Sequence, residues 1–282
     1  MINNRPIDQL ITSALKEDTG RGDITTNTLI SKNQISNAFI VTREAATIYG
    51  IEIAKAVFRK LDRGTRFQQF YKDGAKIRAN SKILGIRAKT RAILTGERVA
   101  LNFLGQLSGV ATKTALFLEK VRPYKVRVMD TRKTTPGLRF LEKQAVKSAG
   151  GTNHRSSLDE IIFIKDNHII SCRKKETLAR IIARAKKSAK KPIVVEVGNT
   201  HDFKKALSGA PNVILLDNMN IAQIKRIMSI AKKLRKRPAI EVSGNVNLGN
   251  IRAIAKTGVD RISVGALTHS RKAIDVALEV IS

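Results

Sequence analysis

The segment Asp130-Thr131-Arg132-Lys133-Thr134-Thr135-Pro136-Gly137-Leu138-Arg139 sets two adjacent cations directly after a short apolar run and ahead of a turn rich in hydroxyl and backbone donors. Arginine offers a planar fork of donors to a carboxylate or phosphate, and lysine a compact point charge. An isolated Arg-Lys pair is an ordinary solvated loop. A pair held between a buried strand and a Thr-Thr-Pro-Gly turn is far more specific. His154, Arg155 and Lys165 add three basic side chains from two later segments. Together with Arg132, Lys133 and Arg139 they point to a polyanionic, phosphate-bearing ligand.

Two carboxylates stand at comparable places. Glu196 lies inside Ile193-Val194-Val195-Glu196-Val197, and Asp217 follows Val213-Ile214-Leu215-Leu216. A carboxylate at the end of so apolar a run needs a partner. The partner is either a neighbouring lysine, or a Mg²⁺-bound pyrophosphate or ribose hydroxyls. Ser243, Gly244 and Asn245, then Gly265 and Ala266, form two glycine-bearing turns after later apolar runs. Such turns bind a terminal phosphate through backbone N–H groups. His168, His201 and His269 are too scattered for a zinc site, and Cys172 lies outside the basic cluster. No Walker loop and no dinucleotide-binding glycine fingerprint occurs.

These residues need elements to hold them. From Lys125 onward, short β-branched runs alternate with helical stretches. The runs are Val126–Met129, Ile161–Ile164, Ile193–Val197, Val213–Leu216, Ala239–Val242 and Ile262–Val264; helical patterns cover Glu176–Ser188, Ile221–Leu234 and Leu248–Thr257. Such alternation predicts a parallel sheet with helical crossovers. Nearly every run ends in a polar or glycine residue, and in a barrel those ends share one mouth. Six contributing runs favour a barrel that is incomplete. The preceding part reads as mixed α and β. Helices are expected around Ile7–Leu15, over Ile51–Leu61 and over Arg91–Val121; strands at Asn37–Arg43, Thr47–Gly50, Phe67–Tyr71 and Ile83–Ala88, with a turn at Asp73-Gly74.

Composition sets the outer limits. The chain has 282 residues, 42% of them apolar, and one cysteine, which fits a reducing, cytoplasmic compartment. Met1 to Leu10 carries no apolar stretch after a basic start, so no secretory signal is expected, and no apolar run approaches the ~20 residues that span a bilayer. Lys and Arg outnumber Asp and Glu by 53 to 23, a net charge of +30. The excess recurs in every segment rather than in a tail. With aromatics at 4%, stacking platforms are scarce, and any nucleic-acid binding should be non-specific and steeply salt-dependent.

Eight ordered stretches resemble the quinolinate phosphoribosyltransferase family: Glu17 through Thr25, Gly96 through Asn102, Asp130 through Arg139, Asn153-His154-Arg155, Ile164 through His168, Leu216-Asp217-Asn218, Glu241 through Asn245, and Ile262 through Leu267. The resemblance implies an N-terminal α/β sandwich over residues 1–112, an open α/β barrel of the type II phosphoribosyltransferase kind over 113–268, and a C-terminal helix, 269–282, packing back on the sandwich. It implies phosphoribosyl transfer from phosphoribosyl pyrophosphate to quinolinate with loss of CO2, supported by Mg²⁺, in NAD synthesis. On the same ground Arg98, Arg132, Lys133, Arg139, His154, Arg155 and Lys165 would bind quinolinate. Lys133, Lys165, Glu196, Asp217, Ser243, Gly244, Asn245, Gly265 and Ala266 would bind the phosphoribosyl donor, with Glu196 and Asp217 on the metal. Arg98 would reach a neighbouring subunit's site, making a homodimer the minimum assembly. One departure is that Val194 and Gly198 flank Glu196, where family members often place further acids. Relatives with the same fold and another substrate exist; the set Arg98, Arg139, His154 and Arg155 favours a dicarboxylate.

Overall fold

The computed structural model describes residues 5–172 and 176–281. Among them the strands are, in chain order, β1 (Ile35–Thr42), β2 (Ala46–Thr47), β3 (Arg66–Gln69), β4 (Lys76–Ile77), β5 (Lys82–Lys89), β6 (Arg127–Met129), β7 (Ile162–Ile164), β8 (Ile193–Val197), β9 (Val213–Asp217), β10 (Ala239–Ser243), β11 (Arg261–Ser263) and β12 (Val276–Ile281). The helices are α1 (Arg5–Thr19), α2 (Ile24–Leu29), α3 (Ile51–Leu61), α4 (Thr90–Val121), α5 (Arg139–Ser148), α6 (Asp166–Ser171), α7 (Leu178–Ser188), α8 (Thr200–Ser208), α9 (Ile221–Lys232), α10 (Ile251–Lys256) and α11 (Ala266–His269).

The chain forms two compact units. The first comprises Met1–Ala115, Pro136–Gly150 and Arg271–Ser282; the second comprises Leu116–Thr135 and Gly151–Ser270. This differs from the contiguous division at residue 112. Helix α5, which carries no strong sequence signal, takes Pro136–Gly150 out of the barrel's run and into the first unit.

In the first unit an antiparallel sheet runs β12-β1-β5-β3. Its core includes Phe58, Ile40, Ile48, Ile93 and Leu104, each buried. Fully burying one such side chain stabilises the fold by about 1.5–3 kcal/mol. The expected strand Thr47–Gly50 is cut short after Thr47, because Gly50 (φ 113°) turns the chain into α3. The Asp73 carboxylate caps that helix, accepting the N–H groups of Gly50 and Ile51 at 3.0 and 3.1 Å.

The C-terminal helix expected over residues 269–282 is corrected. Val276–Ile281 is a strand, paired antiparallel with β1 from Asn37↔Ile281 to Thr42↔Val276; Ser282 lies outside the described residues. The family resemblance alone implied that helix; Val276 and Leu278 sit two apart and pack on the first core. Tertiary context overrides weak helix propensity here. The segment does join the first unit.

In the second unit a six-stranded sheet of described residues has the order β6-β11-β10-β9-β8-β7. Its strand pairings among the described residues are all parallel. Burial along β8 to β10 explains the uninterrupted apolar runs: helices cover one face and a packed interior the other. The edge strands β6 and β7 do not pair with each other among the described residues, and Met129 instead bridges Thr152. The barrel is open, as its six runs predicted. The crossover helices carry polar N-caps: Asn199 caps α8, and Asn220 with Gln223 forms a reciprocal box on α9.

Candidate active site

Most predicted site residues of the second unit lie at or just beyond the C-terminal end of a parallel strand; His154 and Arg155 instead follow the Met129–Thr152 bridge and precede β7. After β6, the loop bearing Lys133 is pinned twice through its backbone. The Lys133 N–H donates to Thr131 Oγ1 (3.1 Å), and Thr268 Oγ1 donates to the Lys133 carbonyl (2.6 Å). The Lys133 side chain runs past Gly265, whose hydrogen points to within 3.3 Å of Lys133 Cδ when extended to a Cβ. The principal lysine and the last glycine turn are therefore neighbours.

Arg132 and Arg155 crowd each other. Burial, and next the positive charge of Arg132, lower the Arg155 guanidinium below the usual arginine range. Arg132 Nε is buried and has no hydrogen-bond partner among the described residues. Arg155 packs over the Phe163 ring at 4.8 Å, and Lys165 Nζ lies 5.2 Å from the same ring. Two neighbouring guanidiniums, one with a buried donor that meets no acceptor among the described residues, are suited to an anion.

Lys165 Nζ stands 3.3 Å from Glu196 Oε2. The lysine reading of Glu196's partner is thus realised. Burial pushes the Glu196 carboxyl up, Lys165 pulls it back, and the nearby Asp217 and Asp166 charges push it up again. Asp166 and Asp202 line a cavity of about 650 Å³ with Glu196. These two acids stand in the first turns of α6 and α8, while Val194 turns into the core.

At the end of β9, Asn218 adopts a left-handed conformation (φ 53°) and links the two turns. Its Nδ2 donates to Asp217 Oδ2 at 2.8 Å, and its Oδ1 accepts from Asn245 Nδ2 at 3.0 Å. Gly244 (φ 91°) and Asn245 (φ 49°) follow Ser243 with positive φ, a backbone arrangement that gathers N–H groups around an anion. Gly265 and Ala266 open the short α11.

Both ring nitrogens of His154 face protein groups. Its Nδ1 accepts the Arg155 N–H at 2.8 Å, and its Nε2 faces Glu241 Oε1 at 3.3 Å. Arg98, exposed on α4, and Arg139, the first residue of α5, belong to the first unit. His168 caps α6, accepting the Lys165 N–H at 3.0 Å, which explains it structurally. Four participants escaped the sequence reading: Phe163, Asn218, Glu241 and Thr268. Glu241 alone had a usable signal, a carboxylate inside an apolar run.

An open parallel barrel with a basic anion site, a carboxylate pair and two phosphate-type turns defines a phosphoribosyltransferase-like protein. Residues 23–108 match the family model described as quinolinate phosphoribosyl transferase, N-terminal domain, and residues 110–279 match its C-terminal domain. The chain belongs to the quinolinate phosphoribosyltransferase family. It is 35% identical over 275 residues to the nicotinate-nucleotide pyrophosphorylase (carboxylating) of Mycobacterium leprae, covering 96% of this chain and 95% of that one. The solved nicotinate-nucleotide pyrophosphorylase of Francisella tularensis is similar with a TM-score of 0.92 and 38% identity, covering 100% of this chain and 98% of that one. That of Ehrlichia chaffeensis matches with a TM-score of 0.91 and 38% identity over 100% of both chains. No helix of the described residues is long and apolar enough to cross a membrane.

Proposed function

We propose that the chain transfers the phosphoribosyl group of phosphoribosyl pyrophosphate to quinolinate, giving nicotinate mononucleotide, pyrophosphate and CO2 in NAD biosynthesis. The relatives' word "carboxylating" describes the reverse direction. The observation that carries this reading is the crowded Arg132–Arg155 pair with its buried, unpaired Nε. Quinolinate brings two adjacent carboxylates, and desolvated guanidiniums recognise carboxylates by charge-assisted, bidentate bonds. Arg98 and Arg139 are assigned to the same dicarboxylate on the family resemblance.

The pyridine nitrogen is itself the nucleophile, so no base is needed to generate it. Its lone pair forms the bond to ribose C1 as the C1–oxygen bond to pyrophosphate breaks. Positioning and electrostatics supply the catalysis. Lys133 and Lys165 neutralise the charge on the departing pyrophosphate. Ser243, Gly244, Asn245, Gly265 and Ala266 hold the 5′-phosphate. As CO2 leaves, the electrons of the C2–carboxylate bond stay on C2 as a carbanion stabilised by the adjacent quaternary nitrogen, and that pair then takes a proton.

Glu196 and Asp217 fit a Mg²⁺ ion, since they are hard oxygen donors whose mutual repulsion a cation relieves. The ion would screen the pyrophosphate when bound. The remaining ligands would be water and substrate oxygens, in keeping with an ion that is seldom caged by protein alone. We read the enzyme as a cytoplasmic homodimer, on the family resemblance and the single cysteine.

Substrate choice tests the reading. With phosphoribosyl pyrophosphate and Mg²⁺, kcat/KM should favour quinolinate over nicotinate by about a hundredfold or more, because a site built for a second carboxylate is left with unpaired cations by the monoacid. Equal turnover of the two acids would reassign the substrate, and no turnover of either would sink the proposal.

A further inference from the structure

Glu241 sits in the middle of β10 at 0% exposure, between the buried Ile240 and Val242. A buried carboxylate is expensive unless its oxygens are used. Ser263 Oγ, on the adjacent β11, donates to Oε1 at 2.5 Å, and the same oxygen lies 3.3 Å from His154 Nε2. Across the imidazole, Nδ1 accepts the Arg155 N–H at 2.8 Å, and the His154 N–H donates to Asp130 Oδ1 at 2.8 Å. A ring nitrogen that accepts carries no proton. The proton therefore sits on Nε2, the nitrogen 3.3 Å from Glu241 Oε1, in an electrostatic contact and not a formed hydrogen bond. The other tautomer would set an Nδ1–H against the Arg155 N–H and an Nε2 lone pair against a carboxylate, and both contacts are repulsive. The His154 side chain is only 8% exposed, so water offers little relief.

We propose that Glu241 is a positioning residue for Arg155: the acceptor it sets beside Nε2 favours the His154 tautomer that anchors the Arg155 amide. His154 acts through the Arg155 backbone. Only the identity of the anion held by Arg155 rests on the function proposed above; the relay does not.

Two readouts test it. Nitrogen-15 NMR of the resting enzyme, with the His154 signals assigned by their loss in His154→Gln, should show the proton on Nε2 at neutral pH. In kinetics, Glu241→Met keeps the volume but accepts nothing; it should raise KM for quinolinate about five- to tenfold, the worth of roughly one hydrogen bond, with KM for phosphoribosyl pyrophosphate within about twofold. Glu241→Gln, whose amide oxygen still accepts, should restore the tautomer and most of the quinolinate KM. A proton on Nδ1, a doubly protonated ring, a folded Glu241→Met enzyme with unchanged quinolinate KM, or equal rises in both KM values would each overturn the proposal. If Glu241→Met does not fold, the wild-type ring spectrum decides alone. Wild-type protein that turns over no quinolinate would refute the proposed function and leave that same spectrum to decide this inference.

Discussion

Replacing Lys133 with alanine should lower kcat by about 10²–10³-fold, the range seen when one preorganised electrostatic group is removed from an active site. The Lys133 backbone is held by Thr131 and Thr268, so removing the side chain leaves the loop in place. The exposed ammonium contributes little to folding, and the melting temperature should hardly move. What disappears is a point charge beside the Gly265 turn, where the donor's phosphates would lie. Its effect grows in the transition state, as charge builds on the leaving pyrophosphate, so kcat should fall more than KM rises. Lys133→Arg should recover only part of the loss: the aliphatic stem passes 3.3 Å from the Cβ position of Gly265, and a planar fork does not reproduce that path. Steady-state kinetics with both substrates checks this, and near-normal kcat in Lys133→Ala would refute the role.

Gly244→Ala should be comparably damaging for a different reason. A Cβ there would overlap the Asn218 side chain and come within 2.8 Å of the Asn218 nitrogen, and φ at this position is 91°. The new methyl must displace either the β9 turn or its own. Either movement spoils the nest of N–H groups and shifts Asn218, which also holds Asp217. We expect kcat/KM for phosphoribosyl pyrophosphate to fall by about 10²-fold, the cost of misplacing groups by about 1 Å. Stability should fall by about 1–3 kcal/mol from backbone strain. The quinolinate KM should change much less, since Arg132 and Arg155 stand on other loops. A variant with unaltered dependence on phosphoribosyl pyrophosphate would remove Gly244 from the phosphate site.

What could be read in advance follows from period and burial. The barrel strands announced themselves because both faces are covered, which leaves unbroken β-branched runs such as Val213–Leu216. Helix α3 was legible to the residue, since its apolar positions recur at helical spacing and a glycine precedes it. The last strand was missed because the family resemblance, and no reading of residues 276–281, supplied a helix there; their pairing with β1 makes them extended. Helix α5 was hidden by its polarity; Glu142 and Lys143 are nonetheless buried. Within the site, charged residues at strand ends were visible, but their partners were not. Asn218 matters through a left-handed backbone, Thr268 through a contact 135 residues away in sequence, and Phe163 as a ring shared by cations. None of these has a local signature. The cations of the site also leave most of the chain's 53 basic residues unexplained by catalysis.

Carbon-13 in the C2 carboxylate of quinolinate gives the most direct measurement. Incubation with phosphoribosyl pyrophosphate and Mg²⁺ should release the label as CO2, one molecule for each nicotinate mononucleotide and each pyrophosphate formed, with none retained in the nucleotide. Label kept in a ribosylated product would show transfer without decarboxylation, and the absence of any pyridine nucleotide would contradict the assignment of this site to quinolinate.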